Sequence, residues 1–137
     1  MLLCGLDLSS NKLTGDIPQQ LPTLQGLQFV NLSGNFLKGS IPNNISNMKS
    51  LESVRVGDLI RKARGRIPPG ISSLTYLSSL DLSYNNLSRK IPSNTQLQSF
   101  DASSFIGNEL CGPPLPMNCE GDQIVPTAEN GGQKEGD

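Results

Sequence analysis

Side chains that move protons or hold metals are scarce here, because the chain contains no histidine. That removes histidine-dependent triads, haem ligation through histidine and most zinc sites. The acids Asp7, Asp16, Glu52, Asp58 and Asp81 are scattered, and no spacing brings two of them into one cleft. The stretch from Gly34 to Ser40, GNFLKGS, has the glycine spacing of a phosphate loop but lacks the lysine that must follow the second glycine. No catalysis, cofactor or metal is therefore expected. Arg61, Lys62, Arg64 and Arg66 form a basic cluster that reads as a solvated loop. No aromatic neighbour is present to stack bases, and the net charge is -1, so nucleic acid is not an expected partner. Three N-x-S triplets, at Asn31, Asn44 and Asn86, are acceptor sites for N-linked sugar. The three cysteines are Cys4, Cys111 and Cys119.

What must position these residues is a repeat. Leu3, Leu6, Leu8, Asn11, Leu13, Gly15, Ile17 and Pro18 recur 24 residues on as Leu27, Val30, Leu32, Asn35, Leu37, Gly39, Ile41 and Pro42. The pattern L-x-x-L-x-L-x-x-N-x-L-x-G-x-I-P is a leucine-rich repeat. Its L-x-L alternation puts Leu6 and Leu8 on one face of a short strand and Asp7 on the other. One such unit cannot bury its own apolar face, so stacked neighbours supply a continuous core. Asn11, Asn35 and Asn85 are expected to turn inward and satisfy backbone groups left outside the ladder. With 35% apolar residues, few aromatics and no tryptophan, that core must be aliphatic.

The expected fold is thus a leucine-rich repeat solenoid, with short parallel strands on a concave face and irregular or 3-10 return loops. Four units are assigned within residues 1–98, at 1–24, 25–48, 49–74 and 75–98. A cap (99–119) and an acidic tail (120–137) follow, the tail read as disordered. The third unit is irregular, since its Ile67-Pro68 comes two residues late and its asparagine and following leucine are missing. A bulge is expected at residues 57 to 65. In the fourth unit Arg89 stands where Gly15 and Gly39 stand, which is costly if that position needs positive φ.

The stretch IPSNTQLQSFDASSFIGNELCGPPLPMNC resembles the C-terminal cap of plant extracellular leucine-rich repeat receptor-like proteins of the xylanase-elicitor receptor and scab-resistance type. Phe100, Ser103, Ser104, Phe105, Gly107, Asn108, Leu110, Cys111, Gly112, Pro114 and Leu115 carry the resemblance. Only Glu109 stands between Asn108 and Leu110. The resemblance implies a disulfide between Cys111 and Cys119, where the residues alone also allow two free thiols. Cys4 is expected to be an exposed free thiol. The resemblance further implies a non-catalytic recognition role in defence or development, at the outer side of the plasma membrane. Its partners would be a protein or peptide ligand, a co-receptor kinase ectodomain, or both. A secreted inhibitor of pathogen cell-wall hydrolases, or a truncated gene copy without independent function, are the alternatives.

Solenoid curvature would gather outward strand residues into one surface. Asp7, Asn31, Arg55 and Asp81 should form one row there, with Gln28, Phe29 and Tyr84 beside it as partner-binding candidates. No apolar run is long enough for a membrane span, and no secretory leader is visible at the start. The chain therefore reads as the membrane-proximal part of a longer ectodomain whose parent is membrane-anchored.

Overall fold

The computed structural model describes residues 4–57, 63–93 and 95–119. Among these residues are nine short strands, interrupted by short helical turns. They are β1 (Gly5–Asp7), β2 (Thr14–Asp16), β3 (Phe29–Asn31), β4 (Phe36–Lys38), β5 (Ser53–Arg55), β6 (Arg64–Gly65), β7 (Ser79–Asp81), β8 (Asn86–Lys90) and β9 (Glu109–Cys111). The odd strands β1, β3, β5 and β7 pair in parallel in that order and form the main sheet. Leu6, Val30, Val54 and Leu80 are in register across it, the last three buried. This is the leucine-rich repeat architecture that the period predicts.

The return path is more regular than a loop. β2 pairs with β4, β6 with β8, and β8 with β9, along a second flank of the solenoid. The third side is built by 3-10 turns at Leu21–Thr23, Asn43–Asn47 and Pro69–Ser73. The Ile-Pro pairs feed these turns: Pro42 and Pro68, at φ near -56° and -58°, already hold the backbone angle that the entry requires. Ile17, Ile41, Ile67 and Ile91 beside them are buried. The core is thus filled from three sides by one apolar residue after another.

Two expectations about the third unit change. The leucine position is occupied: Ala63 is buried, and Gly39 bridges to it as Gly15 pairs with Leu37. Ala63 to Pro68 then runs in regular register, with Gly65 at φ 89° in the usual glycine place. The two extra residues therefore fall between Val56 and Ala63. Most of the expected bulge, together with Asp58, Arg61 and Lys62, lies outside the described residues, as do Leu3 and the tail from Glu120.

The cap is a fifth, abbreviated unit. The N–H groups of Leu82 and Tyr84 donate to the carbonyls of Ser104 and Ile106, as those of Leu32 and Gly34 donate to Arg55 and Gly57. Phe105, Asn108, Leu110 and Gly112 then stand where Leu82, Asn85, Leu87 and Arg89 stand one unit earlier. Phe105, Leu110 and Leu97 are buried, and Phe100 and Leu115 pack against the same core. Cys111 and Cys119 are joined by a disulfide, and Cys4 is free and exposed.

Candidate functional site

An asparagine ladder sets the geometry of the main sheet. Asn35 is buried; its Oδ1 accepts from the N–H of Asn11 (2.9 Å) and Leu13 (3.0 Å), and its Nδ2 donates to the Leu8 and Leu32 carbonyls. Asn108 does the same service for Asn85 and Leu87, donating back to Leu82 and Phe105. Asn85 donates to Val56 and Leu82, while its buried Oδ1 meets no donor among the described residues. Asn11, in the first unit, is exposed rather than turned into the core, and its side-chain Nδ2 donates to its own unit's Leu8 and Ser9 carbonyls.

On the outward face, register places Asp7, Asn31, Arg55 and Asp81 side by side. Three of the four share a local motif that the sequence reading missed. Asp7, Asn31 and Asp81 each accept through Oδ1 from both the N–H and the hydroxyl of the serine two residues on: Ser9, Ser33 and Ser83. The signal was the recurring D/N-L-S triplet, an Asx turn that fixes the chain as it leaves the strand. Ser9's hydroxyl and amide, aided by the distant Arg55 charge, hold the Asp7 carboxyl below the ordinary value of 3.8. In the third unit Gly57 replaces the serine, and Arg55 instead reaches Asp81 at 3.5 Å.

A second polar row runs along the strand entries. Gln28 accepts from the Cys4 N–H through Oε1 and donates to Glu52 through Nε2. Phe29 leans on Gly5 and lines a shallow hollow with Asp7, Asn31, Ser53 and Arg55. Tyr84 lies elsewhere, two units along, with 46% of its surface exposed. A Cβ on Gly107 would come within 2.4 Å of its ring, so the glycine, at φ 79°, is what lets the tyrosine lie there. Ile106, exposed beside it, is an apolar neighbour that the sequence reading did not select. The structure thus gathers Asp7, Asn31, Arg55, Asp81, Gln28 and Phe29 on one face and sets Tyr84 at its far corner.

Such a molecule, a rigid sheet of outward polar side chains on stacked units, defines a solenoid scaffold. The Leucine Rich Repeat family model matches residues 3–24, 26–48 and 76–105. The chain belongs to the leucine-rich repeat family. It is 34% identical over 116 residues to a receptor protein kinase-like protein of Arabidopsis thaliana, covering 83% of this chain but 12% of that protein. Among solved structures, the BIR2 ectodomain from Arabidopsis thaliana matches with a TM-score of 0.78 at 36% identity. A chain of the Arabidopsis BIR3–SERK2 complex matches with 0.72 at 41%. Each match covers 85% of this chain and 61% of the other. The chain is thus similar to plant receptor ectodomains, and spans about an eighth of the length of the receptor kinase-like relative.

Proposed function

We propose that this chain is the non-catalytic recognition part of a plant cell-surface receptor-like protein, docking another protein on its main sheet. The observation that carries the reading is the polar row Asp7–Asn31–Arg55–Asp81, continued by exposed Tyr84 of the fourth unit and Ile106 of the cap. A satisfied polar field with one aromatic anchor at its edge suits a protein interface, where tyrosine and arginine dominate the energetics. Among the similar structures, the Arabidopsis receptor kinase HAESA in complex with a peptide hormone and the co-receptor SERK1 supports a co-receptor as the partner, and the BIR3–SERK2 complex supports docking of a second protein. The disulfide supports an oxidising, extracellular setting.

The finer reading rests on the repeat pattern and the cap signature. Residues 1–98 form the array that presents the sheet and 99–119 the cap that seals it. The xylanase-elicitor receptor and scab-resistance type, and a role in defence or development, come from the cap signature. Asn44 and Asn86 are exposed and suited to carry sugar. Asn31 is half-buried within the row with its Oδ1 engaged by Ser33, so sugar there would block docking.

The test is binding of immobilised chain to a purified SERK2 ectodomain by biolayer interferometry. Paired Arg55→Ala and Tyr84→Ala substitutions are expected to weaken binding at least about tenfold. Binding that ignores both substitutions, or no binding by the parent chain, would overturn the reading.

A further inference from the structure

The hollow on the main sheet is left open by one residue and walled by another. Gly5, Phe29, Ser53 and Ser79 stand in one row across β1, β3, β5 and β7, and Phe29 alone among them is bulky. A Cβ on Gly5 would meet the Phe29 side chain at 3.4 Å, so the ring rests where the first strand carries no side chain. Two residues further along the same strands, Asp7 and Asn31 face outward on the same side. Strand rise and spacing put Asp7 about 8 Å diagonally from Phe29, within the span of one long side chain.

The charges around the hollow differ in what already holds them. Arg55, on the far wall, reaches the Asp81 carboxylate at 3.5 Å. Asp7, on the near wall, accepts from Ser9 through Oδ1, and among the described residues it forms no ion pair. On the outward face of the four strands and their entries the charged residues are Asp7, Glu52, Asp81 and Arg55, three acids against one cation. An apolar side chain seated in the hollow would strip water from the Asp7 carboxylate and offer no donor in return. An acidic one would meet that carboxylate as a like charge while Arg55 is engaged elsewhere. A cationic side chain suits both walls, with its stem on the ring and its head at the carboxylate.

We propose, resting on the reading that the main sheet docks a protein, that this hollow takes one cationic side chain of the partner, arginine in preference to lysine. A guanidinium plane stacks on the face of Phe29, and one of its N–H groups donates to Asp7 Oδ2 while Oδ1 stays with Ser9. The partner is thereby defined as a protein that presents an exposed arginine in a neutral or basic surround, complementary to the net negative charge of the sheet.

Capped heptapeptides of glycine and serine, with arginine, lysine, leucine or glutamate at the centre, test this when titrated into the full chain. NMR follows the Phe29 ring and the Asp7 carboxyl. The arginine peptide is expected to bind with a Kd of about 1 mM and the lysine peptide more weakly, while leucine and glutamate leave both groups unshifted. Asp7→Asn should weaken the arginine peptide about two- to fivefold. It keeps the local turn, because Asn31 already makes the same bonds to Ser33. Phe29→Leu should weaken binding about two- to fivefold as well. Asp16→Asn removes a carboxylate from β2 on the flank and should change nothing, which separates a local pair from net charge. No shift with arginine, equal shifts with glutamate, or equal losses from Asp7→Asn and Asp16→Asn would each overturn the proposal. The two readings fail differently. Arginine bound in the hollow with no binding of the SERK2 ectodomain overturns that partner and spares the hollow. SERK2 binding that depends on Arg55 and Tyr84, with no shift from the arginine peptide, overturns the hollow alone.

Discussion

Single residues in this molecule hold conformation through very local bonds. Asp7 and Ser9 form a pair that requires the ionised carboxylate, since the protonated acid is a poorer acceptor for two donors at once. Because its folded pKa is depressed, the contribution is present above the unfolded value and is lost as pH falls through the folded one. An NMR titration should therefore find the Asp7 midpoint below 3.8, and Ser9→Ala should move it back up. A midpoint unchanged by that substitution would mean that the serine does not set it. Arg89 belongs to the same scale. Replacing it with glycine removes a side chain from a left-handed backbone, and a gain of about 1 kcal/mol in urea unfolding is expected.

Elements are joined by asparagine rungs as well as by strand pairing, since most of the strands are three residues long. Asn108 satisfies two N–H groups of the fourth unit and bonds two carbonyls. Asn108→Ala leaves these groups without their partner, and a loss of about 3 kcal/mol is expected in chemical denaturation. Asn11→Ala, at an exposed position, should cost about 1 kcal/mol or less. Equal costs would show that the rung, as built, is not the source of rigidity. Much of this order was legible in the sequence, because a 24-residue period with L-x-L alternation leaves few choices for the strands or their outward row. The cap's rung escaped notice because phenylalanine replaces leucine at Phe105 and the step shortens to 23 residues; its N-x-L-x-G signature, Asn108 to Gly112, was nevertheless present. Ala63 escaped for a related reason, since one methyl group fills the leucine place and carries no pattern signal. The flank strands could not be read at all: their pairing comes from the stacking of units, not from any alternation within one.

At the scale of the whole molecule, burial is uneven along the axis. Residues of the third and fourth units such as Leu51, Ile71, Leu82 and Leu87 are fully buried, whereas Leu8 of the first keeps 39% of its surface exposed. Since stability in a solenoid is a nearest-neighbour quantity, amide exchange should be fastest in β1 and β2 and slowest in β5 and β7. The disulfide acts at the other end. Its loop, with a sequence separation of 8, restrains the unfolded chain by about 2 to 3 kcal/mol on an entropic account. Reduction should therefore speed exchange first in β9 and the adjoining β8. Uniform acceleration along the whole chain would instead describe a single cooperative block.

The cap's rung reaches backward with the same atoms that Asn35 uses in the second unit, so the seal is indifferent to what lies more than one unit away. Residues 99–119 are for that reason a portable part: any array ending in the same L-x-x-N-x-L edge, here Leu82, Asn85 and Leu87, offers the two N–H groups and the carbonyl that Asn108 takes. An engineer could close solenoids of arbitrary length with this one piece, and gene duplication has the same freedom to lengthen the array without redesigning its end.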